Sequence, residues 1–237
     1  VDYLRIYHPR PAAELRLVCL PHAGGTATAY RGWGSALPPW IELVSIQYPG
    51  RQDRLADPFV ADLTTLITEV IAALPRDRPM AVFGHSMGAT VGYELARRLP
   101  PVHLFLSAPA SAVGRRLDTS DDDRLVADVQ RLGGSGVALL DHPEIRRLAL
   151  PAIRHDACML AAHEIADGPP PDCPVTVLAG DADVACSPDA ARRWARRTTA
   201  GFDLRVFPGG HHYLEDAGDQ VVRLLAEKLE ASRTGAR

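Results

Sequence analysis

The sequence predicts an α/β fold, and three observations carry that prediction. Short apolar, β-branched runs alternate with stretches of helical period. Several of the runs are apolar on consecutive residues, the pattern of a parallel sheet covered on both faces by helices. The chain has 237 residues, 46% hydrophobic and 23% charged, which is enough to build one substantial core.

In chain order, residues 15–20, 41–46, 80–83, 102–106, 175–179 and 204–207 read as strands. Residues 60–74, 89–99, 189–198 and 220–229 place apolar side chains at three- and four-residue steps and read as crossover helices. One interval breaks the rhythm. Residues 108–171 contain no strand pattern, while Leu125, Val129 and Leu132, then Ile145, Leu148 and Ile153, keep helical spacing. This interval opens with Arg115, Arg116 and the acidic run Asp121 to Asp123, and it closes on Pro169 to Pro171. It is read as a helical lid inserted within a single domain spanning 1–237, with the three aspartates capping a helix N-terminus.

Composition removes several classes of function. With 26 basic and 29 acidic residues the net charge is −3, and the arginines are interleaved with aspartates, so no cationic surface for nucleic acid is expected. No apolar run approaches the ~20 residues that span a bilayer, and no secretory leader pattern is seen. Cys19, Cys158, Cys173 and Cys186 show neither C-x-x-C pairing nor histidines at zinc spacing, so reduced thiols in a cytoplasm are expected. His8, His103, His142, His155 and His163 are scattered, and no metal is expected. Lys228 is the single lysine against 25 arginines, which reads as codon bias, and asparagine is absent, excluding a Cys-His-Asn site.

The chemistry is concentrated in Gly84-His85-Ser86-Met87-Gly88, a G-x-S-x-G sequence between a strand and a helix. A serine on so tight a strand-to-helix turn holds its Oγ above the sheet edge, and glycines are needed because larger side chains would collide with the strand and helix. A hydroxyl is a weak nucleophile at neutral pH, so Ser86 requires a base and the base an orienting acid. Both follow later in the chain. Gly180-Asp181-Ala182-Asp183 comes after one strand and Pro208-Gly209-Gly210-His211-His212 after the next, each on the loop where open α/β sheets carry function. Asp181 competes with Asp183 and His212 with His211; Asp183 and His211 are favoured. The backbone amides of Ala23, in Pro21-His22-Ala23-Gly24-Gly25, and of Met87 are the candidate oxyanion donors. No Gly-Lys-Ser/Thr follows Gly24-Gly25, so a phosphate cradle does not fit. His85 is expected to support the turn, and Trp33, Trp40 and Trp194 to pack.

Across most of its length the chain resembles the type II, or editing, thioesterases that accompany polyketide and nonribosomal peptide synthases, a branch of the α/β-hydrolase superfamily. The resemblance rests on Leu20-Pro21-His22-Ala23-Gly24-Gly25 with Tyr30 and Trp33, Gln47-Tyr48-Pro49-Gly50-Arg51 with Arg54, Phe83 to Ala89 with Tyr93 to Ala96, Leu132-Gly133-Gly134, and Phe207 to His211 with Leu214. It implies an α/β-hydrolase fold and a Ser86, Asp183, His211 triad, whose acid and base are 211 − 183 = 28 residues apart. It further implies hydrolysis of acyl thioesters on the phosphopantetheine arm of an acyl or peptidyl carrier protein, without a cofactor. A departure occurs at Ser107-Ala108-Pro109-Ala110, where many members carry an arginine.

Two other readings compete with this one. A general carboxylesterase or lipase uses the same fold and triad, and a non-catalytic carrier-binding protein would retain the site unused. The arginines at 192, 193, 196 and 197 offer a surface for an acidic carrier, or simply a solvated helix face. A monomer without nucleic-acid or membrane partners is expected.

Overall fold

The computed structural model describes residues 2–109, 117–165 and 167–235. Seven strands form one sheet: β1 (Leu4–Arg5), β2 (Leu15–Leu20), β3 (Ile41–Ile46), β4 (Met80–His85), β5 (Leu104–Ser107), β6 (Val175–Gly180) and β7 (Phe202–Phe207). Their spatial order is β1-β3-β2-β4-β5-β6-β7. Every pairing is parallel except that of β1, which runs antiparallel to β3. Every residue of β2, β3 and β6 is buried, as expected of mostly apolar strands once helices cover both faces, and the charged exceptions Arg16 and Glu42 pair with each other at 3.1 Å. The outermost strand β7 is half-buried. This is the architecture of an α/β hydrolase.

The helices are α1 (Trp33–Ala36), α2 (Leu63–Ala73), α3 (Met87–Arg98), α4 (Asp122–Leu132), α5 (Pro143–Ala162), α6 (Pro188–Arg192) and α7 (Leu214–Gly235). Several differ from the sequence expectation for identifiable reasons. Helix α2 starts at Leu63 rather than 60 because the Asp62 carboxylate accepts the Thr65 amide at 2.7 Å and caps it. The helix expected over 189–198 is α6 followed by a 3-10 turn over Arg193–Arg197. Val102 lies outside β5, and two-residue β1 carries too few residues for a periodicity to register.

Between β5 and β6 the described residues are helical, as the spacing predicts: α4, a 3-10 turn over Val137–Asp141, and α5. Asp121 caps α4 by accepting the Arg124 amide at 2.9 Å. Asp123 pairs with Arg146 at 2.5 Å and Asp122 with Arg154, so two of the acidic residues tie α4 to α5 instead of being merely solvated. Leu125, Val126, Leu140 and Leu150 form a small core of their own there, separate from the main one. Leu148 faces outward despite its helical spacing. Arg115 and Arg116 lie outside the described residues.

The order of the strands locates the site. The chain places β3 on one side of β2 and then returns to place β4 on the other, so the loops leaving β2 and β4 diverge and open a crevice at the carboxyl ends of the strands.

Candidate active site

Ser86 occupies that crevice. Its backbone is held at φ 55°, ψ −113°, a conformation costly for a residue with a Cβ and characteristic of strained functional turns. The turn is possible because of its glycines. A Cβ on Gly84 would lie 2.0 Å from the Gly88 carbonyl oxygen, and one on Gly88 would lie 2.0 Å from that of Leu20. Both obstacles are backbone and cannot move aside. The Ser86 amide donates to the Ser107 carbonyl at 2.8 Å, pinning the turn to the adjacent strand.

The loop after β7 brings His211 to Ser86, with Nε2 2.9 Å from Oγ. Its Nδ1 lies 2.9 Å from Asp183 Oδ2, and the other Asp183 oxygen accepts the amides of Ala185 at 2.7 Å and Cys186 at 3.1 Å. Burial alone would raise the Asp183 pKa. The hydrogen bond and charge of His211, joined by those two amides, outweigh burial and hold it below the ordinary carboxylate value. Asp181 is exposed and accepts the Gly209 amide at 2.9 Å, bracing the loops after β6 and β7 against each other. His212 lies edge-on to His22 at 5.0 Å.

The loop after β2 carries Ala23, which lines the same cavity as Ser86. Met87 is the first residue of α3. Among the described residues, neither the Ala23 nor the Met87 amide donates to a protein acceptor. Much of the sequence noted above braces this loop: the hydroxyls of Tyr30 and Tyr48 donate to the carbonyls of Leu20 at 3.0 Å and Pro21 at 3.3 Å, and Gln47 accepts the Ala27 amide at 2.9 Å.

Asp156 on α5 is a residue that sequence reasoning missed. It is fully buried, receives Arg51 through two nitrogens at 2.5 and 2.9 Å, and accepts the Gly24 amide at 2.7 Å. The helical segment between β5 and β6 is thereby fastened to the loop beside Ser86. The only signal in the sequence was an acid on the inward stripe of an amphipathic helix, 105 residues from its partner. His85 was expected to support the turn, and it does so through a second chain of contacts: its Nδ1 lies 2.9 Å from Ser107 Oγ, itself 2.6 Å from the Tyr213 hydroxyl. Burial, reinforced by neighbouring imidazoles, pushes His22 down to about 3, His212 down to about 4, and His85 well below its ordinary value. Trp33 and Trp194 pack edge-on to Phe83 and Tyr93, and all four cysteines are free thiols.

Ser86 opens onto a cavity of about 1240 Å³ whose walls are largely the apolar side chains of the helical segment, among them Leu132, Leu140, Ile145, Ile153 and Leu160. Arg193 and Arg197 also line it. No helix among the described residues is long and apolar enough to cross a membrane.

Comparison with known proteins gives the family of the chain. The chain is 42% identical, over 98% of its length and 67% of the other, to a protein of Streptomyces griseus named as a probable cadicidin biosynthesis thioesterase. It is 37% identical to the thioesterase PikA5 of Streptomyces venezuelae, over 98% of this chain and 86% of that one. Among solved structures, the type II thioesterase BorB from the borrelidin biosynthetic cluster superposes with a TM-score of 0.85 at 38% identity, covering 95% of this chain and 96% of BorB. The thioesterase-domain family model matches residues 15–229, and the chain belongs to the thioesterase family.

Proposed function

We propose that this thioesterase hydrolyses acyl groups from the phosphopantetheine arm of acyl or peptidyl carrier proteins, clearing stalled or misprimed chains from a polyketide or nonribosomal peptide synthase in the cytoplasm, and that it works as a monomer. The observation that carries the reading is the Ser86, His211, Asp183 hydrogen-bonded series opening onto a large apolar chamber. Relatives named as thioesterases of biosynthetic pathways support a thioester substrate.

The chemistry follows from the parts. His211 Nε2 takes the Ser86 proton as Oγ forms a bond to the thioester carbonyl carbon, and Asp183 holds the imidazole with Nδ1 protonated and stabilises its charge. The unpaired amides of Ala23 and Met87 receive the developing oxyanion, and Met87 stands at a helix N-terminus, which favours negative charge. The carbon–sulfur bond breaks, His211 returns the proton to the departing thiol, and an acyl-serine remains. Water then gives its proton to His211 and attacks the acyl carbon, the Oγ–carbon bond breaks, and His211 reprotonates Ser86. The segment from 108 to 171 is a lid in this reading: it walls the acyl chamber and gates the pantetheine arm. Arg193 and Arg197, which line the chamber, meet the acidic surface of the carrier in this reading.

The test is a panel of acyl groups loaded on carrier proteins, run beside matched oxygen esters. Wild type is expected to hydrolyse the carrier thioesters faster than the esters, and Ser86→Ala to lose about a millionfold in kcat. Equal or better rates on the oxygen esters would favour a general carboxylesterase.

A further inference from the structure

Three imidazoles cluster beside Ser86 without a part in acyl transfer, two of them, His22 and His212, lining the chamber and the third, His85, buried behind it. His22 comes from the loop after β2, His85 from the end of β4 and His212 from the loop after β7. Their ring centroids are 5.8 Å apart for His22 and His85, 5.0 Å for His22 and His212, and 5.6 Å for His85 and His212. All three pairs are edge-to-face, and one nitrogen from each ring lies within 4.8 Å of the other two. Three imidazoles bound to one tetrahedral zinc through bonds of ~2.0–2.1 Å have centroids about 5 Å apart. The nitrogens of such a site are about 3.3 Å apart, so closure onto an ion needs each nitrogen to move inward by up to about 0.8 Å.

A second observation points to a ligand. His85 is 2% exposed, its Nδ1 is engaged by Ser107, and its Nε2 is buried with no hydrogen-bond partner among the described residues. A buried polar atom left unpaired is costly, and it calls for an acceptor of its lone pair or its proton. The Ser107 hydroxyl, backed by Tyr213, is the kind of outer partner that fixes a ligating imidazole in one orientation.

We propose that His22, His85 and His212 bind one divalent d-block cation, zinc above all, through one nitrogen each, with a fourth position open to the chamber, and that the bound ion inhibits the enzyme. Imidazole nitrogens select this class over calcium or magnesium. The inhibition follows from place. The His211 ring is 5.2 Å from that of His85 and 5.3 Å from that of His212, and the three ligands directly adjoin Ala23, Ser86 and His211 in the chain, so clamping them on one ion constrains the segments that acyl transfer uses. That consequence rests on the hydrolase reading above, whereas binding of the ion does not.

The experiment uses the full chain and Co²⁺ as the probe, whose visible bands report tetrahedral coordination. Wild type and Ser86→Ala are expected to show these bands at one equivalent, with Zn²⁺ displacing Co²⁺. His212→Phe and, as a second variant, His212→Gln are expected to lose them while keeping the wild-type circular dichroism spectrum. Zn²⁺ is expected to slow thioester hydrolysis by wild type at least tenfold, and a chelator to restore it. Absence of stoichiometric bands in wild type, or their persistence in both His212 variants, overturns the site. Full activity of the zinc-loaded enzyme overturns the inhibition. Bands without thioesterase activity in any metal state would sink the proposed function and leave the site standing.

Discussion

At the scale of single residues, the sequence left two pairs undecided, and geometry separates their members. Asp183 is buried against His211 and saturated by two amides, whereas Asp181 sits at the surface and holds Gly209. Neither identity nor neighbours distinguish them in the sequence, because both follow the same strand and both suit a turn. The expected consequence is asymmetric. Asp183→Ala leaves His211 without the partner that sets its tautomer and is expected to lower kcat about 10⁴-fold. Asp181→Ala removes a loop brace and is expected to cost less than about tenfold, since it orders a turn and touches no reacting group. Hydrolysis rates on one acyl-carrier substrate, with melting curves for both variants, decide the matter. A greater loss in Asp181→Ala would reverse the assignment. The G-x-S-x-G turn was legible because its constraint is local: five consecutive residues fix the conformation, and the collisions that Gly84 and Gly88 avoid lie within the turn and the strand beside it.

At the scale of elements, the strands that the sequence marks most clearly are those it buries most completely. The expected spans 15–20 and 41–46 coincide with β2 and β3, where every position is apolar or inward-facing. Helix α5 shows the converse. Pro151 removes a donor and crowds the preceding turn, a signal that normally ends a helix, yet α5 continues through it to Ala162. Its continuation is fixed from outside, one turn later, by Asp156 on Arg51 and on the Gly24 amide. Such a contact joins segments far apart in the chain and leaves no periodicity to read. Removing it strands the Arg51 guanidinium in a buried site, so Asp156→Ala is expected to destabilise by about 3–5 kcal/mol. Asp156→Asn, which can still accept from Gly24, should fall between. Denaturant unfolding of the three proteins measures this directly. A midpoint for Asp156→Ala corresponding to less than about 1 kcal/mol would mean that α5 is not held by this pair.

At the scale of the whole molecule, the parallel character of the sheet was implied by alternation, while the strand order and its switch beside β2 came only from the structure. Which helices meet which strands was not, because that depends on contacts between distant segments. His103 is such a junction, and it links stability to pH. It precedes β5, stacks on Phe105 at 4.3 Å, and shares a 2.9 Å hydrogen bond with Thr176 of β6. Burial, and secondarily the charge of Lys228 on α7, push it down to about 4, with Asp203 of β7 opposing them; Lys228 and Asp203 are themselves paired at 2.6 Å. In the unfolded chain the same imidazole titrates near ~6.5. Between those values the unfolded state holds the extra proton, so stability is complete above the upper value and declines as pH falls toward the lower one. His103→Gln keeps a hydrogen-bonding group opposite Thr176 but cannot titrate. Relative to that variant, wild type is expected to lose about 2 kcal/mol of unfolding free energy between pH 7 and pH 4.5. Parallel stability profiles for the two proteins across that range would show that His103 accepts its proton within the folded sheet, and that the junction of β5, β6, β7 and α7 is wetter than its packing implies.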